Sequence, residues 1–169
     1  MSCKVDNMPI SDWSGFFSAD VGASAALVGL ITVAISINLT RILAFEHLPA
    51  RAGESLWILA AVFTICEIAL FPRISQTAFG AVALALALVS LAFGARNQWV
   101  SRSIGEVVTI ERQIISGIAR IASSAPIGVG GALMVLHAPE GVIWIAAGVV
   151  ISLAVSVMNA WVLLVEIIR

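Results

Sequence analysis

Charge is what this sequence has least of. Asp, Glu, Lys and Arg make up 11% of its 169 residues, against about a quarter in an ordinary soluble domain. A chain that is also 60% hydrophobic, with a mean hydropathy of +1.06, precipitates in water; its place is a bilayer. Neither sign of charge dominates, since the net charge is −1, and without a basic stripe there is no reason to expect nucleic acid as a partner. Cysteine is scarce as well. Cys3 falls in the N-terminal tail and Cys66 inside a hydrophobic run, which argues against a disulfide framework and against a Cys-based metal site. Enzyme signatures are missing: there is no HExxH, no GxSxG, no pair of mid-membrane aspartates and no phosphate-cradling glycine loop. His47 and His137 are expected in loops on opposite faces of the membrane, where they share neither a metal nor a proton. The expectation is a protein without catalytic residues, metal or cofactor.

What the chain does have is apolar length. Five stretches, 19–45, 54–71, 74–95, 114–136 and 141–168, each supply the roughly 20 residues that a helix needs to cross a bilayer. The fold class expected is all-α: a polytopic transmembrane helix bundle with about five spanning helices, in one domain covering 19–169. Residues 1–18 are read as an interfacial segment, with Trp13, Phe16 and Phe17 at headgroup level. They are expected to stay on the protein, because Lys4 followed by Asp6, Asp12 and Asp20 is not the charge pattern of a cleaved signal. The breaks carry turn chemistry at Glu46-His47-Leu48-Pro49, Pro72-Arg73 and His137-Ala138-Pro139-Glu140. Between Arg96 and Arg112 the chain is polar yet helix-compatible, and a polar helix from about residue 98 is expected to run into the fourth crossing. With five crossings, Lys4 and Arg73 fall on one side. Arg41, Arg51, Arg96, Arg102, Arg112 and Arg169 fall on the other, which places the N-terminus outside and the C-terminus in the cytoplasm. A four-crossing alternative makes either 74–95 or the fourth segment a re-entrant hairpin.

Two faces stand out. On a helical wheel Gly22, Ala25, Gly29, Thr32, Ser36 and Thr40 share one arc of about 80° on the first helix. Gly148, Ser152, Ser156 and Ala160 recur at intervals of four on the last, a spacing that lets helix backbones approach. Both stripes suit helix packing; Thr32, Ser36 and Thr40 also suit the lining of a hydrated path, because helical hydroxyls bond back to the preceding turn and need no partner, while Asn38 suits a hydrogen bond between helices. In the fourth helix Pro126, Gly128 and Gly130 predict a kink or a short unwound stretch.

Ionisable groups inside a membrane are functional candidates. Glu67 lies about 7 to 8 Å of helix rise from the Pro72-Arg73 boundary, a depth that calls for a cavity or a partner. It is either a proton or cation site or a structural carboxyl. Asp20 enters from the same side, so the two carboxylates are expected to meet in an outer vestibule. Arg41 and Arg120 are expected to snorkel at the cytoplasmic interface, and Asn159 to bond between helices.

Three stretches carry a resemblance: Gly22-Ala23-Ser24-Ala25-Ala26-Leu27-Val28-Gly29-Leu30-Ile31-Thr32-Val33-Ala34-Ile35-Ser36-Ile37-Asn38-Leu39, then Leu48-Pro49-Ala50-Arg51-Ala52, and the ending from Asn159 to Arg169. They are similar to a family of small bacterial multi-pass proteins often labelled modulator of FtsH protease. That resemblance implies a bacterial inner-membrane location. The first helix also resembles the pore helix of calcium-channel Orai subunits, from which it departs by having no carboxylate near Ser36 and Ile37. Two functions follow as expectations. One is a homo-oligomer in the lipid bilayer whose first helices surround an ion or proton path, with Asp20, Thr32, Ser36, Asn38 and Glu67 contributing. The other is an accessory or regulatory subunit of a larger membrane complex, such as a membrane-anchored protease.

Overall fold

The computed structural model describes residues 10–37, 39, 47–103 and 110–168. Among them there are five α-helices and no strand. A 3₁₀ turn, Ile10–Trp13, leads into α1 (Ser14–Ile37), followed by α2 (His47–Ala69), α3 (Gln76–Ser103), α4 (Ile110–Val135) and α5 (Gly141–Ile168). Four spans are long and apolar enough to cross a bilayer: Ile10–Ile37, Gln76–Arg96, Gly117–Val135 and Gly141–Trp161. The protein is a multi-pass integral membrane protein with an all-α bundle. Helix α2 is not among the four, yet its 23 residues give it a length of about 34 Å. It buries side chains from Ser55 to Ala69 against the other helices, so it runs through the bundle beside them. Successive helices alternate in direction. The end where α1 starts is here the entry end, and the opposite one the far end.

Local chemistry sets the boundaries. Pro49, expected to break the chain, lies in the first turn of α2, where the missing N–H has no helical acceptor anyway. His47 therefore opens a helix and is not a loop residue. At the entry end Pro72 occupies the second position of a turn closed by Ile74 N–H donating to the Phe71 carbonyl (3.3 Å), and Arg73 takes a left-handed φ of 60°. Ser75 then caps α3, its Oγ accepting from the Ala78 N–H at 3.2 Å. Helix α4 stops in a Schellman arrangement: His137, at φ 64°, donates to the Met134 carbonyl and Ala138 to that of Leu133.

Residues 98–103 extend α3, not the fourth helix, while the stretch from Ile110 prolongs α4 N-terminally as expected; 104–109 lie outside the described residues. Helix α4 stays helical through Pro126, with no unwound stretch. Its glycines have another use. A Cβ on Gly131 would lie 2.7 Å from the Gly80 carbonyl oxygen of α3, and one on Gly130 2.5 Å from that of Gly141 on α5. Gly148 makes room for Ile127 and the Pro126 ring, while Gly128 meets only Ala87, at ordinary contact distance. Helices α3, α4 and α5 thus touch backbone to backbone. Two clusters of buried side chains complete the core. The larger, towards the entry end, gathers Phe17, Val62, Ile65, Cys66, Phe79, Met134 and Ile145; the smaller, farther in, joins Ile31, Leu59 and Ala160.

Candidate functional site

The residues picked from the sequence as a path separate into different places. Asp20 is buried on α1, one turn before Ser24 (0% exposed), on the side facing the bundle. Its charge is within electrostatic reach of the Cys66 thiol on α2, and its Oδ2 has no hydrogen-bond partner. Glu67, next in sequence to Cys66, is exposed and lies on one face of α2 with Ala60 and Thr64. Asp20 is buried where Glu67 is exposed, so the two carboxylates do not share an environment within the protomer. Asn38 lies outside the described residues, as do Thr40 and Arg41.

Thr32 and Ser36 are exposed, and so are Gly22, Ala25 and Gly29. Space around the Cβ positions of Gly22 and Gly29 is empty. The buried residues of α1, Phe17, Asp20, Ser24 and Ile31, lie roughly opposite this stripe on the helix. The small face is therefore turned away from the bundle and does no packing inside the protomer. Its hydroxyls are satisfied locally, Thr32 Oγ1 donating to the Val28 carbonyl (2.7 Å) and Ser36 Oγ to that of Thr32 (2.8 Å). The stripe on α5 behaves in the other way. Gly148, Ser152, Ser156 and Ala160 are all buried, and Ser152 Oγ donates to the Gly148 carbonyl at 2.7 Å.

The largest concentration of polar groups inside the bundle was missed in the sequence. Arg120 on α4 does not snorkel to the interface. It is 9% exposed, and its guanidinium crosses α3 to reach Glu54 on α2, with Nε donating to Oε1 at 2.6 Å. Gly94 is what lets it through: a Cβ there would overlap Arg120 Cδ and Nε. One turn towards the entry end from each of these three residues lie Ile58, Ser90 and Ser123, which with Ser124 and Ser152 line a small cavity between α2, α3, α4 and α5. Ser123 Oγ donates to the Arg120 carbonyl (2.9 Å), and Ser90 Oγ donates to that of Leu86 (2.8 Å) while accepting from Trp57 Nε1 (3.1 Å). The charges neutralise each other; Ser90 and Ser123 spend their protons on their own helices, and Ser152 Oγ shares its proton between the Gly148 carbonyl (2.7 Å) and the Ser123 carbonyl of α4 (3.5 Å). Among the described residues no group of three or more His, Cys, Asp or Glu side chains is placed to hold a metal.

No protein-family model, curated protein or solved structure matches the chain. Three features of its geometry bear on function: an outward small-residue face on α1, a buried carboxylate on α1 facing the bundle, and a neutralised ion pair beside a mostly apolar cavity with four serines in its wall.

Proposed function

We propose that the protein is a homo-oligomer in which the outward face of α1 meets its counterparts and borders a path for ions or protons. The supporting observation is the exposure of Gly22, Ala25, Gly29, Thr32 and Ser36, with open space beside the glycines. In a bilayer, small residues at a helix surface gain little from lipid and much from a second helix that approaches closely. Helix α1 is also the least covered span: 11% of its apolar window is buried inside the protomer, against 44% for α5. A single protomer of this size is too small to enclose a pore, so closure by symmetry supplies the remaining walls. The path would carry Thr32 and Ser36 on its wall; Asp20 faces the bundle instead and contributes no lining group. The Arg excess at the far end supports an N-terminus outside, and the resemblance to small bacterial multi-pass proteins supports a bacterial inner membrane as the setting. The test is the mass of the protein in nanodiscs together with flux through proteoliposomes. A closed oligomer whose flux falls with Thr32→Val and Ser36→Ala supports the proposal. A monomer, or flux indifferent to both substitutions, defeats it.

A second reading is favoured by α3. Beyond Arg96, where its apolar span ends, the helix continues to Ser103 and carries Trp99 79% exposed. An aromatic ring on a helix that overhangs the membrane suits contact with another protein, as in an accessory subunit of a larger membrane complex such as a membrane-anchored protease. Retention of a stoichiometric partner in mild detergent, lost with Trp99→Ala, is the outcome that reading requires.

A further inference from the structure

The helices are joined in two different ways. Within α3–α4–α5 the backbones touch, at Gly80 with Gly131, at Gly130 with Gly141, and at Gly148 with the Pro126–Ile127 turn. Such contacts leave no side chain to change rotamer. Between α1–α2 and those three helices the joint is made by side chains. At the entry end Phe17 meets Phe79 edge to face, with centroids 5.9 Å apart. In the middle, Val62 and Ile65 lie against Ala83, Ala87 and Ile127. Towards the far end Trp57 bonds Ser90 and lies against Phe93, and Glu54 bonds Arg120.

The cavity lies on this seam, walled on one side by Ile58, Ala61, Val62 and Ile65 of α2 and on the other by Leu86, Ala87, Ser90, Ser123, Ser124, Ile127 and Ser152. Ser123 donates its proton to the Arg120 carbonyl at 2.9 Å, and Ser152 shares its proton between the Gly148 carbonyl at 2.7 Å and the Ser123 carbonyl at 3.5 Å. Their remaining capacity is to accept, which suits a small molecule that donates hydrogen bonds. The way in is set by the ends of the seam. At the entry end α2 is tied to α3 by the tight turn Phe71–Ile74, so the two helices cannot part there. Towards the far end, among the described residues, the closure is made by the Glu54–Arg120 ion pair together with Trp57 against Ser90 and Phe93.

We propose that this cavity is a water-binding site inside each protomer, reached from the far end when α1–α2 pivots about the Phe71–Ile74 turn and the Glu54–Arg120 pair lets go. The pair is a latch. With its charges matched it keeps the seam shut, and with one partner neutralised the remaining buried charge draws water in. This site is separate from the α1 face and stands or falls independently of the oligomer.

The test uses the full chain in nanodiscs, with Cys3→Ser throughout. One protein carries Ser152→Cys with Cys66→Ala, putting a thiol of nearly the same size on the cavity wall. A second keeps Cys66, which is 0% exposed near the pivot, as the reference thiol. A water-soluble maleimide is the probe. The expected result is slow labelling of both thiols in the latched protein. Adding Glu54→Gln or Arg120→Gln accelerates the Ser152→Cys thiol about tenfold or more, the change that ~1.4 kcal/mol of lost closing free energy produces; Cys66 stays slow. Equal rates at the cavity with and without the latch overturn the proposal. Acceleration at both thiols together also overturns it, because that is general unfolding and not a pivot.

Discussion

Arg120 and Glu54, 66 residues apart in sequence, form an ion pair in which Nε and Nη2 of the guanidinium both reach one carboxylate oxygen at 2.6 Å. The side chains are 10% and 19% exposed. Removing one partner leaves the other charge stranded in low dielectric. Glu54→Gln or Arg120→Gln is expected to cost on the order of 3 kcal/mol in thermal unfolding in detergent. Replacing both, as Glu54→Leu with Arg120→Met, is expected to cost much less, because no charge is left behind. Equal losses in the single and double variants would show that packing, not charge, holds the contact.

The glycines divide into two classes. Gly80→Ala, Gly130→Ala and Gly131→Ala place a methyl group against backbone and are expected to destabilise by about 1–3 kcal/mol each. Gly94→Ala evicts the Arg120 side chain and is expected to match the loss of the ion pair. Gly22→Ala and Gly29→Ala meet nothing, and on helix propensity alone are expected to stabilise the isolated protomer by up to roughly 1 kcal/mol. Unfolding curves of the six variants, measured side by side, check the division.

The α1 face can be blocked without touching the core. Gly22→Ile and Gly29→Ile fill open space in the protomer, so the fold is expected to survive while close approach between α1 helices is lost. The measurable outcome is a lower mass in nanodiscs with an unchanged circular dichroism spectrum. An oligomer of undiminished mass would place the contact on another face.

Asp20 holds an oxygen that no group satisfies. Asp20→Asn keeps the shape and removes the possibility of a buried charge, so stability is expected to stay the same or rise by up to about 1 kcal/mol. A clear loss would mean that the carboxylate has a partner supplied from outside the protomer.

The number of helices, their order and both entry-end turns were legible in the sequence, because apolar length and the Pro72 and Pro139 signals act locally. The direction of each face was not. In a bilayer both the protein interior and the lipid are apolar, so hydropathy does not say whether the Gly22–Ser36 stripe looks inward or outward. The same ambiguity separated Asp20 from Glu67. The two carboxylates have similar depth in the sequence pattern, and only packing shows that Asp20 is buried and Glu67 exposed. Arg120 was expected to snorkel at the interface, and Glu54 was given no role. Their pairing depends on Gly94, and a lone glycine near the end of a helix gives no sign that an arginine will pass over it. At 98–103 the residues were recognised as helical but given to the wrong neighbour, because nothing polar or apolar marks which side of an interruption a helix belongs to.

The glycine contacts also decide how the molecule answers the thickness of its membrane. Helices separated by side chains can slide and let each span match the bilayer on its own. Where carbonyls of Gly80, Gly130 and Gly141 rest against the facing helix, α3, α4 and α5 have no such freedom. A thicker or thinner bilayer tilts them as one block, and the mismatch is passed to α1 and α2, whose joints to that block are made by side chains that can yield to it.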